Sequence, residues 1–280
     1  MKRLIIVSNR LPVGVNKTDE GIDIKPSMGG LATALKSFYK EYDSKWFGWS
    51  GFDKSDFSED ELAQVEDAFE KERCEPVYLS QKDVDLYYYG FSNETVWPLF
   101  HYFPQYTEYS KETWDSYVRV NRQFADAVIP HLKPGDKVWV HDYHLLLLPK
   151  MIKDEFPSAS VGFFLHIPFP SFEVFRLLPW RMEILEGLLG ADLIGFHTYD
   201  YERHFLSCVR RLMGHETIFN RIRLETRVVK VDAFPMGIDY DKFHNAALQH
   251  QQRALKDKSK LQREIEKYFL MSPDRKLIIS

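Results

Sequence analysis

The stretch Lys137-Val-Trp-Val-His-Asp-Tyr-His144 is an apolar run that ends in a histidine-bearing turn, and a second such run follows at Val161-Gly-Phe-Phe-Leu-His-Ile-Pro-Phe-Pro170. Each run predicts a buried parallel strand, because short apolar runs bounded by turn residues are typical of strands covered on both faces. The carboxyl ends of such strands meet at one sheet edge, where ligands bind in open α/β folds. We therefore expect the polar residues at these strand ends to line one cleft: His141, Asp142, His144 and His166.

Strands and helices alternate on both sides of these runs. Helical spacing of apolar residues predicts the clearest helix at residues 111–129, and Pro130 ends it. Ser58 and Glu61 form a capping-box pattern that starts a helix towards Lys71. This alternation predicts a doubly wound, mostly parallel α/β sheet with right-handed crossovers. Further strands are predicted at residues 4–7, 46–49, 76–79, 192–195 and 227–233, and further helices at residues 81–89, 145–155 and 200–213 and on both sides of Pro179.

Four other segments complete the predicted secondary structure. Residues 9–27 are polar and contain glycine and proline, so they predict a loop. Met28-Gly-Gly-Leu-Ala-Thr-Ala-Leu35 then opens a helix. The charged residues 251–269 predict a solvated amphipathic helix, and residues 277–280 begin an apolar strand.

The composition is that of an ordinary globular protein, with 280 residues, 44% hydrophobic and 28% charged, and a net charge of -4. Because no basic stripe stands out, we expect no nucleic-acid partner. Cys74 and Cys208 lie far apart and predict free thiols in a reducing compartment. The first apolar stretch stops after Val7, too early for a signal peptide, and no run reaches membrane-spanning length. We therefore expect a cytoplasmic protein with no membrane partner.

An arginine and a glycine pair indicate an anion site. No Gly-x-Gly-x-x-Gly motif follows the first strand, so the sequence does not favour a nicotinamide cofactor. Gly29 and Gly30 stand at a predicted helix start, whose N–H groups attract anions, although a tight turn explains the pair better on its own. Arg10 follows the first strand at the same sheet edge, and arginine binds phosphate in a bidentate manner. Together these residues favour a phosphate site.

The segment from Tyr87 to Pro98 mixes aromatic and polar side chains in the way that carbohydrate sites often do. Tyr89 and Trp97 lie in it, and aromatic faces stack on sugar C–H groups while polar groups bind the hydroxyls. A helix end packed by aromatic side chains explains the composition equally well.

The histidine-bearing turns also admit alternatives. Asp142 could bind sugar hydroxyls or assist proton transfer, and it could also cap the helix that follows. His141 and His144 could suggest a metal site, but no third ligand stands out, so we expect no metal. His166 precedes a stiff proline-rich turn, as a functional residue on a rigid loop would, and a satisfied core histidine is the alternative.

Eight motifs follow one another along nearly the whole chain. They are Ser8-Asn-Arg-Leu-Pro12, Gly29-Gly-Leu31, Trp46-Phe-Gly-Trp-Ser-Gly51, Tyr89-Gly-Phe-Ser-Asn93 with Trp97-Pro98, Val140-His-Asp-Tyr-His-Leu145, Gly162-Phe-Phe-Leu-His-Ile-Pro-Phe-Pro170, Gly195-Phe-His-Thr-Tyr-Asp200 and Phe234-Pro-Met-Gly-Ile-Asp239. In this order they resemble the motifs of trehalose-6-phosphate synthases. The resemblance implies a retaining GT-B glycosyltransferase with two facing Rossmann-like domains. It also implies glucose transfer from UDP-glucose to glucose 6-phosphate in trehalose biosynthesis, with no metal and no other cofactor.

The resemblance implies a role for each candidate residue. Arg10 and Tyr89 would hold the acceptor phosphate, and Trp97 would help to shape the sugar pocket. Asp142 would align the acceptor sugar and His166 would bind the transferred glucose, so these two are the catalytic candidates. The acceptor set is therefore Arg10, Tyr89, Trp97 and Asp142, and the donor set is Gly29, Gly30 and His166.

The resemblance also predicts a domain organisation. Residues 1–238 would form an acceptor-side domain, and residues 239–280 would be linker helices and the first strand of a nucleotide-binding domain. The motif Asp-Arg-Leu-Asp-Tyr-x-Lys-Gly of that domain would follow Ser280, so we expect this chain to need the C-terminal domain and to be nearly inactive alone. Homo-oligomer formation stays open. So do two other functions, a sugar-phosphate-binding regulatory module and a synthase with another phosphorylated acceptor, such as glycerol phosphate or a cyclitol phosphate.

Overall fold

The chain divides into two compact units, Met1–Pro235 and Met236–Ser280. In the second unit the described helix is Tyr240–Ala254. The assignment of residues 1–238 and 239–280 to two functional domains stays a prediction. The computed structural model describes residues 3–18, 21–26, 35, 42–237 and 239–254.

Nine strands form one sheet in the described part of the first unit, and two more form a separate hairpin. The strands are β1 (Leu4–Arg10), β2 (Val13–Thr18), β3 (Gly21–Pro26), β4 (Ser44–Trp49), β5 (Cys74–Val77), β6 (Lys137–His141), β7 (Ser160–Phe164), β8 (Leu193–Phe196), β9 (Thr217–Ile218), β10 (Arg221–Arg223) and β11 (Val228–Ala233). Their order in the sheet is β5-β4-β1-β6-β7-β8-β11-β10-β9, and all pairs from β5 to β11 are parallel. The prediction of a doubly wound, mostly parallel sheet is confirmed.

Helices connect the parallel strands. They are α1 (Glu59–Lys71), α2 (Gln81–Asp83), a π-helix (Val84–Val96), α3 (Trp97–Phe100), α4 (Lys111–Val128), α5 (Leu148–Glu155), α6 (Phe172–Phe175), α7 (Arg181–Leu188) and α8 (Tyr199–Met213). The capping box predicted from Ser58 and Glu61 is present at the start of α1. The predicted helix at residues 145–155 is split, because a 3-10 turn (Tyr143–Leu145) precedes α5.

The hairpin of β2 and β3 shows that the loop predicted for residues 9–27 is wrong. The two strands pair in an antiparallel register from Val13 opposite Pro26 to Thr18 opposite Gly21. Val13 is buried, and Val15 and Ile22 pack against the same apolar cluster. Apolar and polar residues alternate in these short strands, and the intervening glycine, asparagine and lysine residues concealed that period of two.

The sheet buries apolar side chains on both faces. Ile5 and Val7 of β1 belong to the larger core cluster, whereas Ile6 packs with Trp46 in a second cluster. Successive strand residues point to opposite faces, so the two clusters lie on opposite sides of the sheet. This double cover fixes the strands whose carboxyl ends carry the candidate site.

Some predictions fall outside the described residues. They include the helix opened by Met28, with Gly29 and Gly30, of which only Leu35 is described, as a buried helical residue. Residues 277–280, and residues 251–269 beyond Ala254, lie outside as well. Across the described residues, no helix combines the length and the apolar character needed to cross a membrane.

Candidate functional site

The site lies where the strand order reverses, between β1 and β6. These neighbours pair from Leu4 opposite Lys137 to Val7 opposite Val140, so their carboxyl ends lie side by side. Arg10 ends β1 and His141 ends β6. In open α/β sheets the crevice at this switch point is the usual place for a ligand.

Arg10 is an exposed cation held beside aromatic rings. Its guanidinium carbon lies 4.6 Å from the ring centre of Trp49 and 5.7 Å from that of Tyr88. Gly48 makes room for the chain at this point, because a Cβ there would lie 2.7 Å from the backbone nitrogen of Leu11. No carboxylate pairs with Arg10 in the described part of the chain, so its donors are free to bind an anion.

Ser8 supports the backbone that carries Arg10. Trp46 donates a 2.7 Å hydrogen bond from Nε1 to the Ser8 hydroxyl, which donates a 2.8 Å bond to the carbonyl oxygen of Arg10. Ser8 is buried, so these bonds are shielded from water. The position of Arg10 is therefore fixed from within the fold.

Asp142 has an unusual backbone conformation, with φ 75° and ψ 169°. Such angles are strained for any residue except glycine and often occur at functional sites. Its carboxylate accepts a 3.1 Å hydrogen bond from the His166 amide, and its side chain makes no cap bond to the following 3-10 turn. Burial raises the pKa of Asp142 to about 6, against the opposing effect of the Tyr143 and His166 amides. The carboxylate is therefore mostly ionised at neutral pH.

Three histidines stand at the ends of β6, β7 and β8. His141 Nδ1 lies 3.1 Å from His166 Nε2, and the ring centres of His166 and His197 are 5.5 Å apart. Burial and then His166 hold the pKa of His141 well below its ordinary value. Burial and then His197 lower the pKa of His166 to about 4. All three rings are neutral at pH 7, because burial also lowers the pKa of His197.

His144 is buried beside the arginine. Its ring stacks on Tyr88, with centres 5.6 Å apart and an angle of 10° between the planes. Neither ring nitrogen has a hydrogen-bond partner in the described part of the chain. Burial, followed by the charge of Arg10, lowers the pKa of His144 to about 3. His144 therefore presents a neutral ring to the arginine.

The π-helix carries the aromatic candidates. Tyr89 is 54% exposed and Trp97, at the end of the π-helix, is 44% exposed. Long π-helices are rare, and π-helical turns are frequent at functional sites. Gly90 allows this helix to approach α4 closely, because a Cβ there would lie 2.7 Å from the Thr113 methyl group. The sequence predicted a helix at residues 81–89. In the structure the helix continues to Val96, and from Val84 onward it is a π-helix.

Aromatic contacts connect these candidates to the strand ends. Tyr89 packs edge-on against Tyr88, with ring centres 5.1 Å apart, and Tyr88 stacks on His144. The ring centre of Trp97 lies 5.5 Å from that of Tyr143, whose hydroxyl donates a 3.0 Å bond to Asn93 Oδ1. Aromatic contacts thus connect Arg10, Tyr89 and Trp97 to the strand ends, and the amide bond joins Asp142 to His166. Gly29 and Gly30 lie outside the described residues.

Sequence reasoning missed His197 as a site residue. It belongs to the Gly195-Phe-His-Thr-Tyr-Asp200 motif and directly follows β8. Its position after a third parallel strand was the signal that could have placed it beside His166.

Comparison with known proteins identifies the family. The model of glycosyltransferase family 20 matches residues 2–277. The chain belongs to glycosyltransferase family 20. It is 49% identical over 243 residues to alpha,alpha-trehalose-phosphate synthase A (UDP-forming) of Dictyostelium discoideum, covering 86% of this chain and 32% of the relative. It is 44% identical over 247 residues to the 56 kDa subunit of the UDP-forming alpha,alpha-trehalose-phosphate synthase of Saccharomyces cerevisiae, covering 86% and 50%.

A solved structure of a trehalose-phosphate synthase is also similar to this chain. The alpha,alpha-trehalose-phosphate synthase (UDP-forming) of Burkholderia xenovorans in complex with glucose-6-phosphate superposes with a TM-score of 0.75 at 31% identity. The match covers 95% of this family 20 chain and 55% of that chain. This chain therefore spans between about a third and somewhat more than half of the proteins that it resembles.

Proposed function

We propose that this chain is the acceptor-side part of a trehalose-6-phosphate synthase, which transfers glucose from UDP-glucose to glucose 6-phosphate. The observation that carries the proposal is the guanidinium of Arg10, which has no carboxylate partner among the described residues. Arg10 ends β1 at the sheet's switch point, and the ionised carboxylate of Asp142 follows the neighbouring strand β6. A cation and a carboxylate at the ends of neighbouring strands suit a ligand with a phosphate at one end and hydroxyl groups at the other. The family supports this substrate class, since relatives are named UDP-forming synthases and one was solved with glucose-6-phosphate.

Arg10 and Tyr89 would bind the acceptor phosphate. Arg10 can give two parallel N–H bonds to phosphate oxygens, and the exposed hydroxyl of Tyr89 can add a third donor. The ring of Tyr88 connects the two residues, because it lies against both. Trp97 would close the sugar pocket with its exposed ring.

Asp142 and His166 would face the two sugars. An ionised Asp142 accepts hydrogen bonds from acceptor hydroxyls and so aligns the attacking oxygen. Neutral His166 would bind the transferred glucose, and Gly29 and Gly30 would bind the donor diphosphate through backbone amides. The resemblance implies transfer with retention, in which the acceptor attacks the face that UDP leaves and its proton passes to the leaving phosphate.

Calorimetric titration of this chain tests the acceptor assignment. We expect glucose 6-phosphate to bind more tightly than glucose or inorganic phosphate, because only it engages both Arg10 and Asp142. Equal affinities for glucose and glucose 6-phosphate would refute the phosphate site. Tighter binding of glycerol phosphate or a cyclitol phosphate would instead assign the related synthases that use those acceptors.

We also propose a cytoplasmic location. The buried cysteines Cys74 and Cys208 are not joined in a disulfide, as is usual for proteins of reducing compartments. Formation of homo-oligomers is a further proposal, which sedimentation of the purified chain would test.

A further inference from the structure

Among the described residues, one nitrogen of the His166 ring has a hydrogen-bond partner and the other has none. Nε2 lies 3.1 Å from His141 Nδ1. Nδ1 is the nitrogen without a partner, and it is not among the fully buried polar atoms of the described residues that lack one. The free nitrogen is therefore available to a ligand in the cleft, and its chemistry depends on which nitrogen carries the proton.

A single proton bridges the two rings, because both imidazoles are neutral. If His141 donates from Nδ1, its buried Nε2 is a bare nitrogen and His166 carries its proton on Nδ1. If His166 donates instead, the Nε2–H of His141 is buried without a partner in the described part of the chain. Unpaired N–H groups in protein interiors are rarer than unpaired acceptors, so the first arrangement is favoured.

The surroundings hold His166 in place. Its backbone amide is bonded to Asp142, and its ring lies between His141 and His197, with centre distances of 5.3 Å and 5.5 Å. A flip of the ring would break the bond to His141. The orientation of the His166 ring is therefore fixed, and its hydrogen bond with His141 determines which tautomer it adopts.

We propose that His141 is a positioning residue that fixes His166 with its proton on Nδ1, as a donor to an oxygen of the transferred sugar. This inference rests on the proposed function, because it takes His166 to be the residue that binds that sugar. His141 acts through His166 and is itself sealed from the cleft, with 1% of its surface exposed.

Nitrogen-15 NMR of the imidazole rings tests the proposed tautomer of His166. In the unaltered chain we expect His166 to be protonated on Nδ1 at pH 7. His141→Asn should preserve this state, because an asparagine amide can donate from nearly the position of Nδ1, whereas His141→Phe should release His166 to a mixture of tautomers. Protonation on Nε2 in the unaltered chain would overturn the inference. Since the unaltered chain and His141→Asn already decide this point, a His141→Phe variant that fails to fold leaves the test intact.

Titration with UDP-glucose tests the donor role of His166. It uses the three proteins joined to the C-terminal nucleotide-binding domain that the resemblance implies, since this chain is expected to need that domain to bind the nucleotide. We expect the His166 Nδ1 signal to shift in the unaltered chain and in His141→Asn, with about tenfold weaker binding in His141→Phe, as the loss of one hydrogen bond predicts. Equal affinity in the three proteins would overturn the donor role. Binding of glucose 6-phosphate at Arg10 is measured separately, so a failure of the acceptor assignment is distinguished from a failure of the histidine pair.

Discussion

The backbone amide of His166 donates a 3.1 Å hydrogen bond to the carboxylate of Asp142. This bond joins the ends of β6 and β7, which the chain separates by α5. It also places the carboxylate within the same group of contacts as the paired rings of His141 and His166. The group expected to align the acceptor and the group expected to bind the transferred sugar are thus held together before any ligand arrives, and this pre-organisation favours catalysis.

The strain at Asp142 predicts an unusual order of variant stabilities. Asp142→Ala removes the carboxylate but leaves a side chain strained at a φ of 75°. Asp142→Gly removes the carboxylate and also the strain, because glycine adopts this φ freely. We expect the glycine variant to be more stable than the alanine variant by about 1 kcal/mol, against the usual cost of glycine. Urea unfolding of the two proteins measures the difference. An alanine variant as stable as the glycine variant would show that Asp142 is not strained.

Gly48 is predicted to set the position of Arg10. A Cβ at residue 48 would lie 2.7 Å from the nitrogen of Leu11 and 2.8 Å from the carbonyl carbon of Arg10. We expect Gly48→Ala to cost ~1–3 kcal/mol of unfolding free energy and to weaken glucose 6-phosphate binding. Gly14→Ala is the matched control, because its Cβ would meet its nearest atom at 3.9 Å. Similar losses in both variants would contradict this account of Gly48.

The neutral histidines predict that stability falls with acid. The pKa of His144 is lowered to about 3 and that of His166 to about 4, from an ordinary 6.5. Between pH 6.5 and 4 the unfolded chain therefore binds more protons than the folded one, so the unfolding free energy decreases as pH falls through this window. Asp142, with its pKa raised to about 6, opposes this trend between pH 6 and 3.8, and so does Glu202, whose pKa burial also raises. The lowered pKa values of His141 and His197 add to the trend. Urea unfolding at pH 5 and 7 checks the sign, and greater stability at pH 5 would refute it.

His144→Phe isolates one contribution to this trend. The change removes two buried ring nitrogens that have no hydrogen-bond partner among the described residues, and it keeps a flat ring against Tyr88. We expect stability at pH 7 to be unchanged or higher, by about 1 kcal/mol, and the loss of stability at pH 5 to be smaller. His215→Phe, at a histidine outside the site, is the control. A loss above ~2 kcal/mol at pH 7 would show that a water molecule or another group pairs with the ring.

The strand ends could be predicted because their apolar runs are continuous and stop at polar turns. The runs at residues 137–144 and 161–170 predicted both the parallel sheet and the residues at its edge. The alternation of helices and strands predicted the doubly wound topology. The hairpin of β2 and β3 escaped because its strands are short and only half apolar. A period of two over so few residues is difficult to separate from a polar loop.

The geometry of the site could not be predicted from these patterns. The π-helix changes the hydrogen bonding of residues 84–96, where the Trp97 amide bonds to the Ser92 carbonyl, and composition does not encode this change. The positive φ of Asp142 and the 3.1 Å contact between His141 and His166 depend on the packing of separate strands. Sequence indicated which residues gather at the edge, and only the structure shows which atoms meet.

The central claim is that Arg10 binds the phosphate of a sugar 6-phosphate. Calorimetry with glucose 6-phosphate on the unaltered chain and on Arg10→Ala tests it most directly, with Arg203→Ala on the exposed face of α8 as the matched control. We expect Arg10→Ala to lose at least about tenfold in affinity, since a charge-assisted bond contributes ~1.5–3 kcal/mol, while its unfolding temperature and the control's affinity stay unchanged. An Arg10→Ala variant that binds glucose 6-phosphate as tightly as the unaltered chain would contradict the account.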